Sequence, residues 1–192
     1  MRQEVEILRK NVYDFINNDI LKTNIPAPVL EIGPMCQEFT PIKEYFVDTK
    51  AYFNQKRIPY KTCDIYPESG CDIIDDVLNL ERHVKPGTLG SIIALEVLEH
   101  TSKVWLVSDI FYNLLKPNGK IFVSVPYHFY KHAPFPDFWR ISDDGLKCLF
   151  GDKFDCSIRA CYERDKNGKI IDDRKPLDFT LVGIKKAKEN AR

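Results

Sequence analysis

The chain has 192 residues, enough for one domain with a substantial core. Its 28 Lys and Arg balance its 28 Asp and Glu, which excludes a nucleic-acid surface built on excess positive charge. No stretch approaches the ~20 apolar residues of a membrane span, so no membrane association is expected.

Residues 1–10 mix charges and contain no apolar run, so no export signal is read and a cytoplasmic location is expected. Cys36, Cys63, Cys71, Cys148, Cys156 and Cys161 include no C-x-x-C pair. They read as reduced packing thiols, and no metal site is expected from them.

In chain order, Val5, Leu8, Val12, Phe15 and Ile16 recur at steps of three and four and predict an amphipathic helix near 3–21. Residues 24–28, with two prolines, break it. Pro28 to Pro34 (PVLEIGP) then reads as a short buried strand that stops abruptly. Gly33 would let a ligand approach the backbone, and Glu31, buried at the strand end, needs a partner. A second helix is expected from about 41 to 56, with Pro41 in its first turn and Ile42, Tyr45, Phe46, Thr49 and Phe53 facing the core.

Residues 59–64 form a second strand ending in Asp64, and 71–77 a third carrying Asp75 and Asp76. Residues 90–97 are the clearest buried strand, apolar without strict alternation, as a strand covered on both faces should be. A helix over about 102–116 ends in Pro117-Asn118-Gly119, and 120–125 is a fifth strand stopped by Pro126. Residues 127–140 are an irregular loop dense in His, Pro and aromatic side chains. Ser142 caps a short helix to about Phe150. Residues 154–163 and 177–185 pair as antiparallel strands, because no helix can be placed between them.

The architecture is α/β: a doubly wound, Rossmann-like sheet of seven strands, helices on both faces, closed by a C-terminal antiparallel hairpin. We read one domain over 1–192, with an N-terminal helix (1–24), a cofactor-binding core (27–126), and a substrate loop, helix and terminal hairpin (127–192). Right-handed crossovers gather the ends of the first four strands around one crevice.

The ordered segments VLEIGP (29–34), CDI (63–65), DDV (75–77), ALEVLEH (94–100) and LKPNGKIFVSVP (115–126) resemble a class I S-adenosylmethionine-dependent methyltransferase of the small single-domain, type 11-like kind. The resemblance covers about residues 27–150. It implies S-adenosylmethionine as cofactor, held by Glu31, Gly33, Pro34, Asp64, Ile65, Asp76, Val77, Leu95 and Glu96. Asp64 would accept both ribose hydroxyls, a charge-assisted bidentate contact. Asp76 and Val77 occupy the adenine position, although Asp76 reads equally well as a cap for the next turn. The sequence departs from the family where Met35 and Gln37 replace the later loop glycines. The same departure counts against a nicotinamide-dinucleotide fold, whose fingerprint needs those glycines.

The resemblance places the acceptor at the loop after the fifth strand. His132 or His128 is the candidate base, Asp137 the orienting carboxylate or a second candidate. Tyr127, Trp139 and Arg140 are candidates for acceptor binding, with Arg140 suited to an anionic group. The plainer alternatives are that Asp137 and Arg140 pair with each other and that Trp139 packs in the core. Glu99 and His100 read as local caps. Methyl transfer from a sulfonium needs no metal, since alignment supplies most of the catalysis. The expected activity is methylation of an O or N atom of a small-molecule or sugar-like acceptor. The alternative is a catalytically silent cofactor-binding scaffold or regulatory subunit. Oligomeric state is left open.

Overall fold

The structure is a computed structural model that describes residues 2–34, 43–134, 136–165 and 167–187. Helix α1 spans Arg2–Phe15 and continues as a π-helical turn over Ile16–Ile20. The strands are β1 (Val29–Ile32), β2 (Tyr60–Asp64), β3 (Ile73–Ile74), β4 (Leu89–Leu95), β5 (Leu115–Pro126), β6 (Phe154–Cys161) and β7 (Asp178–Lys185). The other α-helices are α2 (Thr49–Gln55), α3 (Val107–Leu114) and α4 (Asp143–Phe150).

The strands form one sheet in the order β3-β2-β1-β4-β5-β7-β6. The first five are parallel, while β7 runs antiparallel between β5 and β6. Chain order reverses between β1 and β4, which opens a crevice at the carboxyl ends of both strands.

Side chains alternate across the sheet, as a two-fold pleat requires. Val29, Ile93 and Phe122 face one side and pack with Val12, Phe15, Ile16 and Ile20 of the N-terminal helix and Phe53 of α2. Leu30, Ile32, Ile92, Ala94, Ile121 and Val123 face the other and pack with Leu80, Phe111, Leu146 and Phe150. Both faces are covered, so the central strands are mostly apolar, with Glu31, Ser91 and Ser124 as buried polar exceptions. Glu31 lies between Leu30 and Ile32 and so projects on the α2 side, where Thr49 meets it.

Several element boundaries differ from the sequence reading. Helix α2 begins at Thr49 instead of near 41, because Asp48 caps it by accepting from Ala51 N at 2.8 Å. Phe53 is buried there; Pro41, Ile42, Met35 and Gln37 lie outside the described residues. The third strand is only Ile73–Ile74, since Asp75 Oδ1 accepts from Asp76 N and Asp76 Oδ1 from Leu78 N, which turns the chain into a 3-10 helix over Val77–Arg82. The helix before β5 opens as a 3-10 turn over Val104–Leu106 and stops at Leu114. Its expected last turn belongs to β5, which bulges between Leu115 and Lys120 where it pairs with β4. Cys63, Cys71, Cys148, Cys156 and Cys161 are free thiols.

Candidate functional site

A cavity of about 580 Å³ opens at the crevice. Its lining comes from the ends of β1, β2 and β4, the turn after β3, one side of α1 and the segment 132–134. Every residue assigned to the cofactor by resemblance lines it: Glu31, Gly33, Pro34, Asp64, Ile65, Asp76, Val77, Leu95 and Glu96.

Gly33 has φ +62°, and a Cβ there would stand 2.8 Å from Val97 Cγ2. The position therefore demands glycine for both conformation and space. Glu31 is buried, and its Oε2 accepts from Tyr60 OH and, at 2.6 Å, from Thr49 Oγ1. Burial raises its pKa, with the two hydroxyls acting in the opposite sense. Tyr60 is itself held by stacking on Phe53, ring centroids 4.9 Å apart.

Asp64 Oδ1 accepts from Tyr66 N at 3.0 Å, and nothing among the described residues holds its other oxygen. Asp76 caps the 3-10 helix through Oδ1, so the capping reading of this residue is realised while it also faces the cavity. Asp75 accepts from Asn79 and pairs with His83 Nε2 at 2.7 Å, and these partners lower its pKa to about 2. Glu96 sits at φ +56°, Ser124 Oγ donates to its Oε1 at 2.7 Å, and its buried Oε2 has no hydrogen-bond partner among the described residues. Burial raises its pKa. A left-handed glutamate at a strand end is strained backbone, and such strain gathers at functional sites.

On the acceptor side the loop candidates separate. His132 lines the cavity. Burial lowers its pKa against the pull of Asp137, which keeps the ring neutral near pH 7. His132 Nδ1 lies 3.2 Å from Asp137 Oδ2, off hydrogen-bond alignment, and His132 N donates to the same oxygen at 2.9 Å. Asp137 is fully buried; burial works to raise its pKa, but the Arg140 guanidinium and the His132 amide hold it at about 2.

His128, Tyr127, Trp139 and Arg140 do not line the cavity. His128 Nδ1 contacts Pro176 O beside the terminal hairpin, at 3.2 Å. Tyr127 packs edge-on against Phe179. Trp139 packs on the core and donates Nε1–H to Thr101 O at 2.8 Å. Arg140 donates to both Asp137 oxygens and to the carbonyls of Phe129, Tyr130 and Trp139, which uses all five guanidinium hydrogens. It is a clamp on its own loop and has no donor left for an anionic acceptor, which corrects the role expected of it.

Sequence reasoning missed three contributors. Arg9, Val12 and Ile16 bring the N-terminal helix to the cavity wall. Thr49 and Tyr60 supply the partners that Glu31 needs. Glu99 and His100, read as caps, sit in a 3-10 turn over Leu98–His100 with the Glu99 side chain fully buried and His100 on the cavity. The available signal was Glu96-x-x-Glu99-His100 itself: three titratable groups directly after the most buried strand.

No family model matches the sequence, and no curated protein does. Solved structures do. A methyltransferase from Archaeoglobus fulgidus that depends on S-adenosylmethionine superposes with TM-score 0.69 at 14% identity, over 92% of this chain and 94% of its own. A chain of the Haloferax volcanii complex containing the Trm112 methyltransferase activator gives 0.64 at 12%, over 98% and 96%. The N-methyltransferase NodS from Bradyrhizobium japonicum, in complex with S-adenosyl-l-homocysteine, gives 0.58 at 12%, over 94% and 88%. The chain thus has the Rossmann-like fold of the class I S-adenosylmethionine-dependent methyltransferases. No helix among the described residues is long and apolar enough to cross a membrane.

Proposed function

We propose that this protein transfers a methyl group from S-adenosylmethionine to an O or N atom of a small-molecule acceptor. One observation carries the reading: Glu31, Asp64 and Glu96, each closing a different parallel strand, converge on one cavity whose floor requires Gly33. The cofactor's sulfonium supplies an electrophilic methyl group.

The chain's own groups suit the remaining tasks. Asp64 has a carboxylate oxygen open to a diol, and Gly33 allows close approach of a ligand to backbone. Glu96 Oε2, buried and without a hydrogen-bond partner among the described residues, calls for a donor, and an ammonium group answers that need. Val77 and Ile65 offer apolar surface for a flat ring. His132, neutral and on the cavity, can accept a proton from the acceptor, with Asp137 as the positioning carboxylate.

Titration calorimetry with S-adenosyl-homocysteine tests this, with NAD as the control. Binding of the former and silence from the latter is the expected result. Binding of NAD, or of neither, would overturn it.

A further inference from the structure

We propose that Glu99, His100 and His132 form a binding site for one first-row divalent cation on the wall of the cavity. Three observations lead there, and the binding itself does not depend on the methyl-transfer reading.

The first is placement. Glu99 Oε1 lies 3.6 Å from His100 Nε2 and 3.9 Å from His132 Nε2. Donor atoms of the three residues all lie within 4.8 Å of one another. The two Glu99 separations are too long for hydrogen bonds. They match atoms that share one ion, which at bond lengths of about 2.0–2.2 Å stand roughly 3–4 Å apart.

The second is the carboxylate. The Glu99 side chain is fully buried, and neither of its oxygens has a hydrogen-bond partner among the described residues. A buried carboxylate without a donor is expensive, and a cation at the focus of the cluster supplies what is missing. The guanidinium of Arg140 is engaged elsewhere, with all five hydrogens committed to Asp137 and three carbonyls. Glu99 O, meanwhile, accepts from Phe138 N at 2.7 Å and Trp139 N at 3.2 Å, so the turn and the loop are tied at this residue.

The third is the outer shell. His100 Nδ1 lies 3.0 Å from Pro136 O, and His132 Nδ1 faces Asp137 Oδ2. The carbonyl behind His100 Nδ1 favours the tautomer whose Nε2 lone pair is free, as in metal-bound histidines backed by a carbonyl or carboxylate. The Asp137 carboxylate, out of hydrogen-bond alignment with His132 Nδ1, favours the same tautomer of that ring by its charge alone. Two imidazoles and one carboxylate suit Zn²⁺, Mn²⁺ or Fe²⁺, and leave coordination positions open. His100 and His132 both line the cavity, so those positions face it. An acceptor hydroxyl bound there would ionise near neutral pH, its proton passing to solvent water at the mouth of the cavity and its oxygen remaining on the cation. In that case the cation takes the place of His132 as the means of activation. This use of the ion rests on the methyl-transfer reading.

The test is calorimetric titration of tag-free, chelator-stripped protein with Zn²⁺ and with Mn²⁺, without nucleotide, alongside thermal melts. The expected result is one equivalent bound per chain with at least one of these ions and a raised melting temperature. Glu99→Gln should abolish uptake, and His100→Gln should weaken it at least tenfold. His128→Gln, at the terminal hairpin, should retain it. If Glu99→Gln fails to fold, His100→Gln decides the question, since that side chain reaches solvent (15% exposed) where the Glu99 side chain does not. No uptake of either ion, or equal uptake by the His100 variant, would overturn the proposal and leave Glu99 a protonated buried acid. Titration of the same variants with S-adenosyl-homocysteine separates this outcome from failure of the methyl-transfer reading.

Discussion

Arg140 and Asp137 form a closed fork: two guanidinium nitrogens donate to the two carboxylate oxygens at 2.6 and 2.7 Å. The carboxylate is fully buried, and the arginine's remaining hydrogens hold the carbonyls of Phe129, Tyr130 and Trp139. One residue thereby fixes both arms of the loop that carries His132. Lysine has a point charge and cannot span the fork. Arg140→Lys should lower stability by about 3 kcal/mol, the scale of a broken buried pair. Chemical denaturation measures it; an unchanged midpoint would mean that the clamp contributes little.

Glu31 depends on Thr49 and Tyr60 in a similar way. Tyr60→Phe deletes one of two donors to a buried carboxylate while keeping the ring stacked on Phe53. A loss of about 1–3 kcal/mol in denaturant unfolding is expected. Thr49→Val should cost a comparable amount, and the double variant should fall by less than the sum, because both serve one oxygen.

Asp64→Ala should reduce S-adenosyl-homocysteine affinity at least about tenfold, the lower end for loss of a charge-assisted contact. Folding should hardly change, since the one hydrogen bond its side chain makes among the described residues is accepted from Tyr66 N at the surface. Calorimetry alongside a thermal melt separates the two effects. Equal affinity in the variant would remove Asp64 from the cofactor site.

Gly33→Ala should be destabilising by about 1–2 kcal/mol, because φ +62° strains an alanine and its Cβ would press on Val97. A crystal structure or melt of the variant would check this. A neutral effect would mean that the β1 end relaxes easily.

Asp178 provides a pH test. It is fully buried in β7, its Oδ1 accepts from Asn11 Nδ2 at 2.6 Å, and its Oδ2 lacks a well-aligned hydrogen bond among the described residues. Burial, then the charge of Glu96, raises its pKa well above the ordinary value, against Asn11, Cys161 and Arg159. The folded state therefore holds this proton more tightly than the unfolded state. Its contribution to stability is greatest below about pH 4 and declines as pH rises toward the folded pKa. In Asp178→Asn that decline is absent. Urea midpoints from pH 3 to 8 should show the variant gaining on the wild type as pH rises. Parallel curves would refute the raised pKa.

Much of this was open to sequence reasoning. The apolar runs within 28–34 and 90–97, ending at Gly33 and Glu96, read as buried parallel strands with polar ends, because burial on both faces selects apolar side chains locally; the strand at 59–64 was legible mainly from its terminal acid, Asp64. The order of those runs implies the crossover topology, and the topology brings the strand ends together. Glu31, Asp64, Asp76 and Glu96 could thus be placed at one crevice before any coordinates were known.

Tertiary structure decided the rest, because burial and charge partners depend on segments distant in sequence. Arg140 looked suited to an anionic ligand; only the folded loop shows its hydrogens consumed by Asp137 and three carbonyls. His128 and His132 are equivalent in sequence, yet one turns to Pro176 and the other to the cavity. Glu99 has the local pattern of a cap, and its distinction is full burial beside a histidine from another segment. Sequence determined which strands line up and where their polar ends fall, since those follow from local hydrophobic pattern. Which acids, histidines and arginines satisfy one another was settled by packing, since that depends on which side chains the loops bring within a few ångströms.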